Sequence, residues 1–176
     1  MTEASLVEDE HGALRPEGDG WFVVDARRAA WGAGDFGRSC SFEPKGMRFP
    51  QLGINLNVLE PGQPMCLYHR ENAQEDFLVL AGECVLLVEG EERPLRQWDF
   101  VHCPAGVDHV FVGAGTGPSV VLAAGARLEP EEIVYPVEPV AQRHGASVEV
   151  ETPDPDVAYA GYSVGRVRYE EGWLPG

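Results

Sequence analysis

Three of the five histidines lie between residues 61 and 113, where apolar and polar residues alternate more regularly than elsewhere in the chain. Two of these histidines, His69 and His109, lie in the same stretch of sequence as two glutamates, Glu71 and Glu75. Residues i and i+2 of a β-strand point to the same face, about 6.5–7 Å apart, so His69 and Glu71 can share one interior. Pairing of neighbouring strands would bring Glu75 and His109 into the same space. We predict that these four residues form one cluster.

Imidazole and carboxylate groups in one cluster suit a divalent transition metal, and we predict one ion of Zn, Fe, Mn or Ni. The lack of a thiolate in the set disfavours a structural zinc site. His69, Glu75 and His109 alone would form the two-histidine, one-carboxylate set that leaves open positions on non-haem iron. Glu71 would either complete this set as a fourth ligand or face solvent and pair with a basic side chain. Buried without a cation, its carboxyl would have a raised pKa.

Short alternating segments separated by turn residues surround the four positions. A strictly alternating run, Gly53–Leu59, precedes the histidine segment, and an apolar run from Pro118 to Arg127 follows it. Glycine and proline mark turns every few residues, and no segment is long enough for a helix of more than about three turns. The only helical pattern of note is at residues 137–145. The chain is therefore predicted to be all-β, as an antiparallel sandwich or barrel.

Two motifs in this region resemble those of the cupin superfamily. The first reads His69-x-Glu71-xxx-Glu75-x6-Gly82, and the second Pro104-Ala-Gly106-Val-Asp-His109. The resemblance covers about residues 53–125, two-fifths of the chain. Two histidines 40 residues apart are by themselves more typical of ordinary core or surface positions, and the motif spacing is what favours a metal site.

The resemblance implies a double-stranded β-helix, that is, a jelly-roll barrel, with His69, Glu71, Glu75 and His109 as metal ligands. Three positions depart from the family pattern. Glu71 stands where the first motif has its second histidine, Trp98 where the second motif opens with glycine, and Gly113 where it ends with asparagine. Metal-free members exist in this superfamily, so the departures leave an organic-ligand pocket as the alternative.

Composition limits the partners of the protein. The chain has 176 residues and a formal net charge of −16, which argues against binding to nucleic acid or to an anionic membrane surface. The first twelve residues lack the basic and apolar regions of a signal peptide, and we expect a cytoplasmic protein with four reduced cysteines. We also expect a homodimer, because small jelly-roll barrels leave an edge strand and an apolar face to cover.

The domain organisation is predicted in three parts. Residues 1–20 are an acidic, flexible N-terminus, residues 21–127 the β-barrel, and residues 128–176 an acidic, proline-rich extension that packs on the barrel or on a partner subunit. The first strand is predicted at Trp21–Asp25, and residues 33–50 are predicted to be irregular with one strand at most.

Three classes of function follow from these features. The first is a metal-dependent enzyme, an oxygenase or an isomerase, acting on a small polar molecule. The second is a non-catalytic binding or regulatory protein, and the third a structural metal protein whose extension mediates assembly. The single lysine, Lys45, counts against a phosphosugar substrate. The fold alone does not choose among these classes, because the same fold hosts enzymes and binding modules.

Overall fold

β-Strands dominate the computed structural model, which describes all 176 residues. The helical elements are a 3-10 turn at Ala26–Arg28 and the helices α1 (Pro139–Arg143) and α2 (Pro155–Ala158). Fourteen strands follow one another along the chain: β1 (Ser5–Glu8), β2 (Leu14–Glu17), β3 (Ala30–Gly34), β4 (Gly37–Ser41), β5 (Leu52–Leu59), β6 (Arg70–Glu71), β7 (Glu75–Ala81), β8 (Glu83–Val88), β9 (Glu91–Arg96), β10 (Phe100–Cys103), β11 (His109–Ala114), β12 (Ser119–Ala126), β13 (Ile133–Val134) and β14 (Val164–Val167). The predicted all-β fold is confirmed.

Two antiparallel sheets form the body of the molecule. One has seven strands in the order β10-β7-β12-β5-β4-β3-β14, and the other has three in the order β11-β8-β9. Alternation along the strands points every second residue of each sheet into the space between them. The inner core therefore takes its residues from both sheets: Leu59, Phe77, Val79, Cys84, Leu86, Cys103, Phe111 and Val121. This is the layered jelly-roll arrangement that the sequence predicted.

The two faces of strand β5 lie in different environments. Leu56 and Val58 pack with Trp31 in a second core on the outer side of the seven-stranded sheet. Asn57 points the other way, into a cavity between the sheets, on the same face as Leu59 in the inner core. Over the first half of β5, the face that carries the polar side chains is therefore the one that points into the cavity.

Both chain ends contain paired strands. Residues 1–20, where we expected a flexible segment, contain the hairpin β1–β2, with a salt bridge of 3.0 Å between Arg15 Nε and Asp9 Oδ2 beside its turn. In the C-terminal extension, β13 pairs with β6 and β14 pairs with β3. The domain boundaries at residues 20 and 127 stay predictions.

Several predicted elements differ in the structure. Trp21–Asp25 is not a strand, and only Trp21 forms an isolated bridge, with Glu3. Residues 33–50, predicted to be largely irregular, contain β4 and the end of β3. The histidine segment is regular only at β6, because two prolines and a glycine at residues 61–64 interrupt the ladder before it. By contrast, the predicted strand at Gly53–Leu59 and the helix within residues 137–145 are confirmed as β5 and α1.

The turn between β7 and β8 shows why glycine is needed in the first motif. Gly82 has a φ of +72°, and a Cβ there would lie 2.5 Å from the carbonyl oxygen of Pro118. Only glycine combines this backbone conformation with so close an approach. At this turn the chain passes from β7 in the seven-stranded sheet to β8 in the three-stranded sheet.

Candidate metal centre

Two histidines face each other at the centre of the candidate site. His69 immediately precedes β6 and forms an isolated antiparallel bridge with His109, the first residue of β11. The two residues exchange backbone hydrogen bonds of 3.1 and 2.9 Å. Their side chains therefore lie on one face, with ring centroids 5.0 Å apart. The prediction that His69 and His109 share one interior is confirmed.

The backbone also fixes how each ring presents its nitrogens. His69 Nδ1 lies 2.8 Å from the carbonyl oxygen of Leu67, and His109 Nδ1 lies 3.0 Å from that of Val107. A carbonyl oxygen only accepts, so each neutral ring carries its proton on Nδ1 and leaves a lone pair on Nε2. This second contact is the usual way in which proteins orient metal-binding histidines.

Glu75 completes the cluster from the start of β7. Its Oε2 atom lies 3.3 Å from His109 Nε2 and 3.8 Å from His69 Nε2. Ligand atoms of these three residues all lie within 4.8 Å of one another. The structure therefore brings together His69, Glu75 and His109 as a possible metal site.

Glu71 lies at the edge of this group. Its Oε1 atom is 3.9 Å from His69 Nε2, but Glu71 is not part of the compact three-residue set. Burial, followed by repulsion from Glu75 and Glu131, raises the pKa of Glu71 to about 7. The carboxyl thus points inward, and its role as a fourth ligand stays a prediction.

The pKa values of the cluster residues reflect their burial and the charges of their neighbours. Burial, and then the neighbouring His109 ring, lower the pKa of His69 to about 4. Burial alone would raise the pKa of Glu75, but His109 and His69 outweigh it and hold that pKa below its usual range. For His109, the carboxylate of Glu75 outweighs burial and raises the pKa.

A divalent cation fits this arrangement. His109 Nε2 is buried and has no hydrogen-bond partner, since Glu75 Oε2 stands at ion-pair distance without hydrogen-bond alignment. Two imidazole lone pairs and a carboxylate that converge in a buried space repel one another unless a metal ion, or a proton on His109 Nε2, lies among them. The donor set of nitrogen and oxygen atoms is one that Zn, Fe, Mn and Ni accept.

A cavity of about 830 Å³ opens beside the cluster, and its walls include residues that the sequence analysis did not identify. Tyr135 and Tyr159 come from the C-terminal extension, Arg48 from the loop before β5, and Asn57 from β5 itself. The Tyr159 hydroxyl accepts a hydrogen bond of 3.2 Å from the Leu67 N–H. Strict alternation of asparagine with apolar residues in Gly53–Leu59 was the one signal that could have pointed to Asn57.

Other residues considered from the sequence take the following positions. Strict alternation along residues 65–71 predicts that Cys66 lies on the face opposite His69, and this prediction is wrong, because the segment is not a regular strand there. Its Sγ atom lies 3.7 Å from His69 Nδ1 and lines the cavity. Cys103 is a buried core thiol, and His102 is an exposed residue paired with Asp76. All four cysteines are free.

The jelly-roll strands and the inward histidine–glutamate cluster together define a cupin-type site. Residues 55–125 match the family model described as a cupin domain. This segment of the chain is therefore a cupin domain. No curated protein matches the chain.

Solved structures similar to the chain include three that cover two different described activities. One, from Acidithiobacillus ferrooxidans and proposed to be a sugar phosphate isomerase, is 33% identical over 51% of this chain and 56% of that one, with a TM-score of 0.44. A sugar phosphate isomerase of the cupin superfamily from Silicibacter pomeroyi is 25% identical over 79% and 80%, with a TM-score of 0.49. A Thermotoga maritima protein proposed to be an oxalate decarboxylase is 22% identical over 52% and 80%, with a TM-score of 0.46.

These likenesses do not transfer an activity to the chain, because each TM-score is below 0.5 and the match spans about half the length of the Acidithiobacillus protein. With respect to membranes, none of the helices has the length and apolar character needed for a crossing.

Proposed function

We propose that the protein is a metal-dependent enzyme of the cupin superfamily that acts on a small organic molecule in the cavity beside His69, Glu75 and His109. The observation that carries this proposal is the buried, unpartnered Nε2 atom of His109, which stands 3.3 Å from a carboxylate oxygen. A buried polar atom without a partner costs about 1–3 kcal/mol of stability, so a function that needs it is the simplest reason for its presence.

His69, Glu75 and His109 would hold one ion of Zn, Fe, Mn or Ni, each histidine through Nε2 and the glutamate through a carboxylate oxygen. When bound, such an ion supplies Lewis acidity that polarises a substrate oxygen. The Nδ1 contacts to the carbonyls of Leu67 and Val107 keep both rings in the orientation that this requires.

Glu71 supports proton transfer as the chemical step. It lies outside the compact three-residue set yet faces the same cavity, so its carboxyl is placed to accept and return a substrate proton. A substrate proton next to a carbonyl or hydroxyl could pass to a Glu71 carboxyl oxygen and return at a neighbouring carbon. This favours an isomerase over an oxygenase among the enzyme classes considered.

Metal content tests the first part of the proposal. Wild type and His109→Ala are stripped with a chelator, reloaded separately with Zn, Fe(II), Mn and Ni, and analysed for bound metal. We expect near-stoichiometric metal in wild type and a sharp loss in His109→Ala. His102→Ala removes an exposed histidine 48% of whose side chain is accessible, and it should keep the wild-type content. Equal, low metal in all three proteins would overturn the proposal.

Isotope exchange tests the second part. The loaded enzyme is incubated in D2O with hydroxy ketones and hydroxy aldehydes, and deuterium at the carbon next to the carbonyl is followed by NMR. Incorporation that depends on Glu71 supports an isomerase. If no deuterium enters, and the Fe(II)-loaded protein consumes O2 with the same compounds, the oxygenase reading replaces it. A protein that binds these compounds without either reaction would be the non-catalytic binding protein of the alternative hypothesis.

A further inference from the structure

Asn57 is a buried polar residue that the candidate metal centre does not use. Only 8% of the residue is exposed, and its side chain lines the cavity that also holds His69 and His109. The side-chain amide makes no hydrogen bond with another part of the chain. A carboxamide has two donor hydrogens and an acceptor oxygen, and in Asn57 these atoms are open to the cavity, since none of them is a buried polar atom without a partner. An amide kept in this position is suited to a ligand that both accepts and donates hydrogen bonds.

The charges around the cavity limit what that ligand can be. Its lining contains four glutamates, Glu71, Glu75, Glu131 and Glu132, and one basic side chain, Arg48. Arg48 Nη1 lies 2.7 Å from Glu131 Oε2, so the one guanidinium is already matched by a carboxylate. A divalent cation at the metal centre would offset two of the four acids, and the cavity would still carry no surplus positive charge. Phosphorylated and carboxylate ligands gain no free basic partner from the protein.

Much of the remaining wall is apolar, although Asn55 also lines it. About half of the residues around the cavity are hydrophobic, and Phe77, Phe111 and Ile133 are among them. A volume of about 830 Å³ lies within the range of small-molecule sites. The cavity thus offers an uncharged polar group and an apolar wall to one occupant.

We infer that the cavity around Asn57 is an organic-ligand subsite that takes an uncharged, oxygen-bearing molecule with an apolar part, such as a hydroxy ketone or a phenol, in preference to phosphorylated or carboxylate analogues. The inference rests on the proposed function, since it names the substrate class of the same cavity. The inference differs from the proposed function because it rests on Asn57 and on the Arg48–Glu131 pair, neither of which belongs to the metal centre.

Two matched pairs of probes test this class. The first pair is 4-hydroxyacetophenone and 4-hydroxybenzoate, and the second is dihydroxyacetone and dihydroxyacetone phosphate. Dissociation constants are measured by ligand-observed NMR, first with chelator-stripped protein and then with metal-loaded protein. In the stripped protein we expect the uncharged member of at least one pair to bind about fivefold more tightly than its anion, the effect of one unscreened repulsive contact.

Two variants connect the preference to the named residues. Asn57→Leu should weaken binding of the uncharged probe by about threefold to tenfold, as for the loss of a hydrogen bond. Glu131→Gln releases Arg48 and should tighten binding of the anionic probes by about fivefold. Glu60→Gln breaks an equivalent arginine–glutamate pair, with Arg38 at 2.8 Å, outside the cavity and should change neither affinity. Glu131 is exposed, so its variant remains informative if Asn57→Leu folds poorly.

The outcomes separate the two proposals. A stripped protein that binds both anions as tightly as the uncharged probes, or that binds no uncharged probe in the millimolar range, overturns the inference whatever the metal content. An unchanged affinity of Glu131→Gln for the anionic probes would also overturn the inference. A protein that prefers the uncharged probes but never retains metal supports the subsite and instead overturns the metal-dependent function.

Discussion

His69 and His109 lie directly opposite each other in an antiparallel bridge and exchange both of their backbone hydrogen bonds. The distance between the two rings is therefore set by the main chain of the first and second cupin motifs and not by the side chains themselves. Replacing one side chain leaves this bridge in place. Variants of the cluster consequently report on the chemistry of the site more than on the fold.

Glu71→Gln should affect stability in a way that depends on pH in the metal-free protein. The pKa of Glu71 is about 7 in the folded protein, against an ordinary value of 4.5, and burial is the main cause. A raised folded pKa means that the folded state binds the proton more tightly, so this stabilisation is present below about pH 4.5 and is lost as the pH rises through about 7. The variant should therefore match wild type at pH 4.5 and exceed its Tm by about 5 °C at pH 8.

Glu71→Gln must be compared with wild type at each pH, because His69 contributes a pH dependence of stability with the opposite sign. Its folded pKa of about 4 lies below the ordinary 6.5, so its contribution is present above 6.5 and is lost as the pH falls through about 4. The difference between variant and wild type removes this shared effect. Glu17→Gln, at an exposed position, serves as the control and should show no pH-dependent difference. A Glu71→Gln variant less stable than wild type at pH 8 would contradict the prediction.

Glu75→Gln and Glu71→Gln should differ in metal retention. Glu75 Oε2 lies within 4 Å of both Nε2 atoms, whereas Glu71 lies outside the compact three-residue set. Replacing a ligating carboxylate with an amide removes its charge, so we expect Glu75→Gln to lose most bound metal. Glu71→Gln should keep it and lose isotope exchange. If both variants lose metal equally, Glu71 is a fourth ligand, as the sequence also allowed.

The sequence predicted the cluster better than it predicted the cavity. Histidine and glutamate spacing located His69, Glu75 and His109 because motif residues sit in register on paired strands. Tyr135 and Tyr159 could not be found, since they follow β13 and α2 and reach the cavity through long-range contacts that no local pattern encodes. Cys66 was misplaced for a related reason: alternation predicts a face only where the ladder is regular, and the ladder is interrupted before β6.

Trp98→Gly should stabilise the protein. Trp98 has a φ of +76°, at the position where the second cupin motif opens with glycine, and 67% of the residue is exposed. A bulky residue in the left-handed region costs roughly 1–2 kcal/mol, and little burial is lost with the indole. After the entropy of a glycine in the unfolded chain is subtracted, we expect a net gain of about 0.5–1 kcal/mol, or about 2–4 °C in Tm.

Trp98→Ala provides the matched control for this prediction. It removes the same indole but keeps a Cβ at a positive φ, so the backbone strain remains. The gain should appear with glycine and not with alanine, in thermal denaturation at one pH. Equal Tm changes in the two variants would assign the effect to the exposed ring and not to the backbone.

Tyr159→Phe should weaken both the fold and the metal site. The Tyr159 hydroxyl accepts the N–H of Leu67, a fully buried residue whose carbonyl in turn lies 2.8 Å from His69 Nδ1. Without the hydroxyl, the buried N–H loses its partner, which costs about 1–3 kcal/mol and lowers Tm by about 3–10 °C. The peptide that orients His69 is then less well fixed, and metal affinity should fall about tenfold, as for other contacts that orient metal ligands. Tyr162→Phe removes a hydroxyl from a neighbouring ring that is 43% exposed, and it should alter neither quantity. A Tyr159→Phe protein with lowered Tm but wild-type metal affinity would show that the C-terminal extension supports the fold without positioning His69.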